Sequence, residues 1–180
     1  MDIKLYTRLL NFRSYSRSSE QKVFRNWLRN YIERNIPSTK TTLDTYGNLY
    51  VEKGDTSSVT VNCVVAHLDI NQKERTNVKV IHSGDFVFGF DTETGEQCGV
   101  GHDDKAGVYF AIQALKKFEY IKAFFPLDEE VGCIGTSHAE PEFFKNVGFI
   151  VQLDRNGYGD ISEYTNGIDV VTESTKEQLQ

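Results

Sequence analysis

The chain has 180 residues, 39% of them apolar and 26% charged, with twelve Phe, nine Tyr and one Trp. That is room for one domain with ample core material, so general disorder is excluded. The net charge of −6 argues against a nucleic-acid backbone as partner, because phosphate binding needs clustered Lys and Arg; no apolar run approaches the ~20 residues that span a bilayer.

The start, MDIKLYTRLLNFRS, lacks a long apolar stretch followed by a small-residue cleavage site, so it does not read as a signal peptide and a cytoplasmic location is expected. Cys63, Cys98 and Cys133 are widely spaced and odd in number. They form no CxxC and are expected to be plain thiols.

In chain order, the first clear element is SSEQKVFRNWLRNYIERN. Ser18 can cap it, with Gln21 three residues on. Val23, Phe24, Trp27, Leu28, Tyr31 and Ile32 recur at helical spacing before Pro37 closes the segment. Tyr46-Gly47-Asn48 reads as a turn, followed by a half-buried strand over residues 48–53. Residues 59–67 form a buried strand rich in β-branched residues. Two short strands at 77–81 and 86–90 flank a turn. Residues 104–118 then read as a helix packed on a sheet. A short strand at 120–125 ends at Pro126. Loop and helix are expected from Gly135 into Phe144, another buried strand at 147–153, and a last strand with a helix start between Ile168 and Gln180. Strands alternating with helices predict one α/β layered domain over residues 1–180.

The acids fall at strand ends. His67 and Asp69 follow one strand, and their i, i+2 spacing on an extended segment points both the same way. A carboxylate there can accept the second ring N–H of the histidine and fix its tautomer. Asp128, Glu129 and Glu130 follow a second strand, and Asp154 a third. Adjacent carboxylates in a partly dry site repel by several kcal/mol, a cost that a cation removes. Asp103 and Asp104 stand side by side where a glycine-rich loop enters a helix. Taken singly, each motif also fits a solvated turn. Together they gather at the carboxyl ends of strands, where open α/β sheets bind ligands. One histidine with several carboxylates suits zinc, cobalt or manganese and does not suit a cysteine-rich structural zinc site.

The ordered motifs HLD (67–69), GHDDKAG (101–107), DEEVGCIGT (128–136) and QLDRNG (152–157) resemble those of the co-catalytic two-metal exopeptidases. That superfamily includes peptidase T, the carboxypeptidase G type and the bacterial leucyl aminopeptidases. The looser TYGNLYVEKG (45–54) is similar to the segment before the first ligand in that family. The resemblance runs from about residue 18 to 172 and implies a three-layer α/β/α fold with a mixed central β-sheet, incomplete at the C-terminus. It implies two divalent metals, zinc above all, with His67 and Asp154 on one, Glu130 on the other and Asp103 bridging both. Asp69 would orient His67, Glu129 would be the general base, and the Asp103–Asp104 peptide bond would be cis. The implied activity is hydrolysis of short peptides by an aminopeptidase or dipeptidase.

The resemblance also calls for a further histidine far downstream. His82, His102 and His138 do not match it, so the sequence reads as the N-terminal part of the family fold. The expectations are a truncated protein, a chain whose missing elements come from another copy or a partner chain, or a degenerate relative. An amidohydrolase acting on N-acylated small molecules and a non-catalytic metal-binding or interaction module are the alternatives.

Overall fold

The computed structural model describes residues 1–71, 77–155, 162, 164–165, 168–172 and 175. Helix α1 (Ile3–Leu10) is followed by α2 (Ser19–Asn35). Ser18 caps α2 by accepting from the Gln21 N–H at 3.1 Å. Phe24, Leu28 and Ile32, four residues apart, point inward and are fully buried, as the helical period demands. Val23, expected on the same face, is exposed. Trp27 and Tyr31 instead line the border of the buried stripe, stacked at 5.3 Å.

Strands β1 (Thr39–Leu43), β2 (Leu49–Lys53), β3 (Val61–Val65), β7 (Ile121–Phe125) and β8 (Val147–Gln152) form the central sheet in the order β1-β2-β7-β3-β8. β1, β2 and β7 pair antiparallel, whereas β3 runs parallel to both β7 and β8. The sheet is therefore mixed, as the resemblance implies. Helices α2 and α3 (His102–Lys117) share one core with Leu49, Val51, Ala123 and Phe125 of the sheet. The opposite face has a thinner cover. There Tyr50, Cys63 and Phe124 pack against Phe143, from a 3-10 turn at Pro141–Phe144 that follows the short α4 (Ile134–Ser137).

A separate antiparallel sheet holds β4 (Val78–Ser83), β5 (Phe86–Asp91) and β6 (Gln97–Cys98), and β9 (Tyr164–Thr165) pairs with β10 (Ile168–Asp169). The helix start expected near the C-terminus, and Asn156 and Gly157 of the last motif, lie outside the described residues. Among the described residues, no helix is long and apolar enough to cross a membrane.

Several elements depart from the sequence reading. α1 and β1 are not foreseen, the first being short and the second reading as polar loop. β8, expected to be buried, is an edge strand: Phe149 and Ile150 are 39% and 50% exposed. An apolar run marks a strand but carries no information about what lies beyond its free edge.

Candidate functional site

The carboxyl ends of β3, β7 and β8 lie side by side because those three strands are neighbours. The parallel register that aligns Val65 with both Phe124 and Gln152 brings the three following segments together. His67 leaves β3, Glu129 and Glu130 leave β7, and Asp154 leaves β8. The loop into α3 adds Asp103.

His67 is the hub. Its imidazole is 1% exposed, and its Nε2 lies 2.9 Å from Asp103 Oδ1, 3.6 Å from Asp154 Oδ1 and 3.9 Å from Glu129 Oε2. Donor atoms of His67, Asp103 and Glu130 all lie within 4.8 Å of one another, as do those of His67, Asp104 and Asp154. Every residue singled out for the site from the sequence is thus in one place. His67 Nδ1 stands 3.1 Å from the Asp69 carbonyl and 3.4 Å from the Asp69 carboxylate, so Asp69 faces the ring through both groups.

The peptide bond between Asp103 and Asp104 is cis, and the two acids diverge. Asp103 is 66% exposed at its side chain and turns to His67 Nε2. Asp104 is buried. It accepts the His67 backbone N–H at 3.2 Å and the Gly107 N–H at 2.9 Å, capping α3 while tying it to β3. Gly107 has to be glycine, because a Cβ there would fall 2.3 Å from Asp104 Oδ1.

The electrostatics follow from four acids crowding one histidine. Burial disfavours charge on His67, but hydrogen bonds to Asp154 and Asp69 and the charges of Asp104 and Asp69 prevail and push it up to about 11. For Asp69, burial is likewise overcome, by hydrogen bonds from His67, Ser16 and the Glu129 N–H, and it is held down at about 2. Asp104 is raised to about 8, chiefly by burial and then by the charge of Asp154. Asp103 and Glu130 are raised by burial and by acidic neighbours, while the hydrogen bond and charge of His67 hold Asp154 down against its burial. The donor set is thus rich in negative charge. One nitrogen among carboxylate oxygens fits a divalent cation of the zinc, cobalt or manganese type. The raised carboxyls and the raised histidine have one cause, crowded negative charge, and a cation placed among them would relieve it.

Several supporting residues escape sequence reasoning. Asn48 is fully buried and locks the DEE loop: it accepts the Leu127 N–H at 3.0 Å and donates to the Gly135 carbonyl at 2.8 Å. A Cβ on Gly135 would sit 2.1 Å from the Leu127 carbonyl, which accounts for the second glycine of DEEVGCIGT. Asp128, in the left-handed region at φ 56, accepts from the Tyr46 hydroxyl at 2.6 Å. Lys105 is buried and donates to the Leu68 carbonyl at 2.9 Å and to Ser14 Oγ. The Cys133 thiol reaches Glu129 Oε1 at 3.4 Å. The only signal for these was their place inside the motifs.

The other histidines are engaged elsewhere. His102 Nδ1 is 2.7 Å from the Tyr6 hydroxyl, His82 Nε2 is 2.8 Å from Thr7 Oγ1, and the His138 ring stacks on Tyr46.

No profile of a known protein family matches the sequence, and no curated protein matches it. Solved structures do. A tripeptidase from Staphylococcus aureus aligns with TM-score 0.66 at 19% identity, covering 86% of this chain and 43% of that one. Human carnosine dipeptidase 1 aligns with TM-score 0.66 at 17% identity, covering 85% and 38%. The aminopeptidase PepT from Bacillus cereus aligns with TM-score 0.63 at 18% identity, covering 86% and 43%. The chain therefore spans less than half the length of these solved proteins. Over most of its own length, it has the α/β fold that these peptidases share.

Proposed function

We propose that this chain carries the metal-holding part of a hydrolase site that cleaves short peptides, of the aminopeptidase or dipeptidase type. One observation supports the reading above all: His67, Asp103, Glu129, Glu130 and Asp154, spread over 88 positions of sequence (154 − 67 + 1), meet around a single buried imidazole at strand ends.

In this reading His67 and Asp154 hold one divalent metal, Glu130 a second, and Asp103 lies between them. Bound there, the metals would supply the Lewis acidity that polarises a carbonyl and lowers the pKa of water. Asp69 orients His67 and fixes its tautomer. Glu129, three-quarters buried at its side chain with an oxygen 3.9 Å from His67 Nε2, takes a proton from water and returns it to the leaving amine. Asp104 faces the backbone, where each of its oxygens accepts an N–H group.

The test is metal content and hydrolysis measured on one sample with zinc or cobalt added. The expected result is about two metals per chain and cleavage of short peptides, with turnover falling about 10²–10⁴-fold in Glu129→Gln. Metal binding should persist in that variant. Unchanged turnover in Glu129→Gln would remove the base. A preference for N-acylated over free-amine substrates would move the reading to an amidohydrolase. Metal without any turnover would leave a binding module.

A further inference from the structure

The segment between α1 and α2 lies against the site as a strap. Ser14 Oγ donates to the Leu68 carbonyl at 2.6 Å, and the Ser14 carbonyl accepts the Ile70 N–H at 3.0 Å. Tyr15 and Ile70 form a parallel bridge. The Arg17 N–H donates to Asp128 Oδ1 at 2.6 Å. Between these anchors, Ser16 Oγ donates to Asp69 Oδ2 at 2.7 Å.

Asp69 is fully buried and its two oxygens have different duties. Oδ1 faces His67 Nδ1 at 3.4 Å and accepts the Glu129 N–H at 3.0 Å. Oδ2 faces away from the imidazole and accepts the Glu130 N–H at 3.1 Å together with the Ser16 hydroxyl. The Ser16 bond, with the Glu129 and Glu130 N–H groups, therefore holds the rotation of the carboxylate about its last torsion. That rotation decides how Oδ1 meets His67, and the Ser16 hydroxyl is the one side-chain donor on Oδ2 among the described residues.

We propose that Ser16 is a positioning residue for the metal site, acting on His67 through Asp69, so that the α1–α2 strap is part of the site and not merely packing beside it. The inference rests on the reading of His67 as a metal ligand. Partners of a metal-bound histidine tune affinity by about 10–100-fold. A group one bond further out should act at the lower end of that range.

The experiment is cobalt binding to the metal-free chain, followed by the visible absorption of the bound ion. Wild type, Ser16→Ala, Ser16→Thr and His67→Ala are compared, with thermal melts of each metal-free protein. The expected result is about tenfold weaker binding and an altered cobalt spectrum in Ser16→Ala, recovery of both in Ser16→Thr, and loss of binding in His67→Ala. Wild-type binding and spectrum in Ser16→Ala, with His67→Ala still defective, would overturn the role of Ser16 and leave the ligand assignment standing. Equal binding by His67→Ala and wild type would overturn the ligand assignment itself. If Ser16→Ala melts early, Ser16→Thr is judged against Ser16→Val, which differ only by hydroxyl and methyl: weaker binding by Val supports the role, and equal binding overturns it.

Discussion

The two sides of the site are built differently. On the side of β3 and the strap, His67, Asp69, Asp104 and Lys105 are all buried, and hydrogen bonds from four chain segments hold them. Toward solvent, Asp103 is 66% exposed and Glu130 is only partly covered, and Phe149 and Ile150 of β8 lie open on an edge strand among the described residues. The first side is fixed before any ligand arrives. The second brings carboxylates close without fixing them, and its acids repel unless a cation or proton intervenes. Rigidity on one side and unspent charge on the other suit a site whose geometry is completed by what it binds.

The comparison can be broken most directly at its hub. His67→Ala should lose at least the metal that His67 and Asp154 hold, measured by isothermal titration, because His67 is the one residue common to both donor groups. If binding is unchanged, the buried side does not organise the site. Asn48→Ala comes next. It strands the Leu127 N–H in the interior, while the Gly135 carbonyl keeps the His138 N–H, and should lower stability by about 1–3 kcal/mol, the cost of one orphaned buried group. Urea denaturation reads this directly, and a loss under ~1 kcal/mol would mean that the DEE loop is held by something else.

Proton linkage sharpens the same contrast. In the metal-free chain His67 is raised to about 11, so the stability it contributes is complete below its ordinary value and is lost as pH rises through about 11. A metal must displace that proton. Apparent affinity should therefore rise about tenfold per pH unit between pH 6 and 8. Calorimetry in two buffers of different ionisation enthalpy should show about one proton released per metal from His67. Asp104, raised to about 8, works in the same direction on the apo protein: its stabilising contribution is present below about pH 4 and is lost as pH rises through about 8. Metal affinity independent of pH would contradict a protonated His67. The smallest effect belongs to the open side. Ile150→Ser on the exposed edge should change stability by about 0.5 kcal/mol or less, against several for any buried residue on the opposite side.

Much of the site was legible because its residues come in short motifs at strand ends. HLD, GHDDKAG and DEEVGCIGT each place a chemical group beside the turn or glycine it needs, as Gly107 beside Asp104 shows. The buried helix face of Phe24, Leu28 and Ile32 was legible from its period. Ser16, Asn48 and Lys105 were not, since each acts on a partner 37 to 87 positions away, and nothing local marks a serine or asparagine as buried and bonded. The exposure of β8 was hidden for a related reason: VGFIVQ has the same apolar pattern with or without a neighbour.

By itself, then, the sequence determined which groups sit at strand ends and the α/β alternation, because local patterns carry period and turn chemistry. The tertiary structure alone decided that the β3, β7 and β8 ends converge on His67, and that a strap from the N-terminal region pins Asp69. It also decided that β8 is the edge strand of the central sheet among the described residues. Strand order and parallel register are long-range choices, and they are settled only when distant segments bury their surfaces and satisfy their hydrogen bonds together.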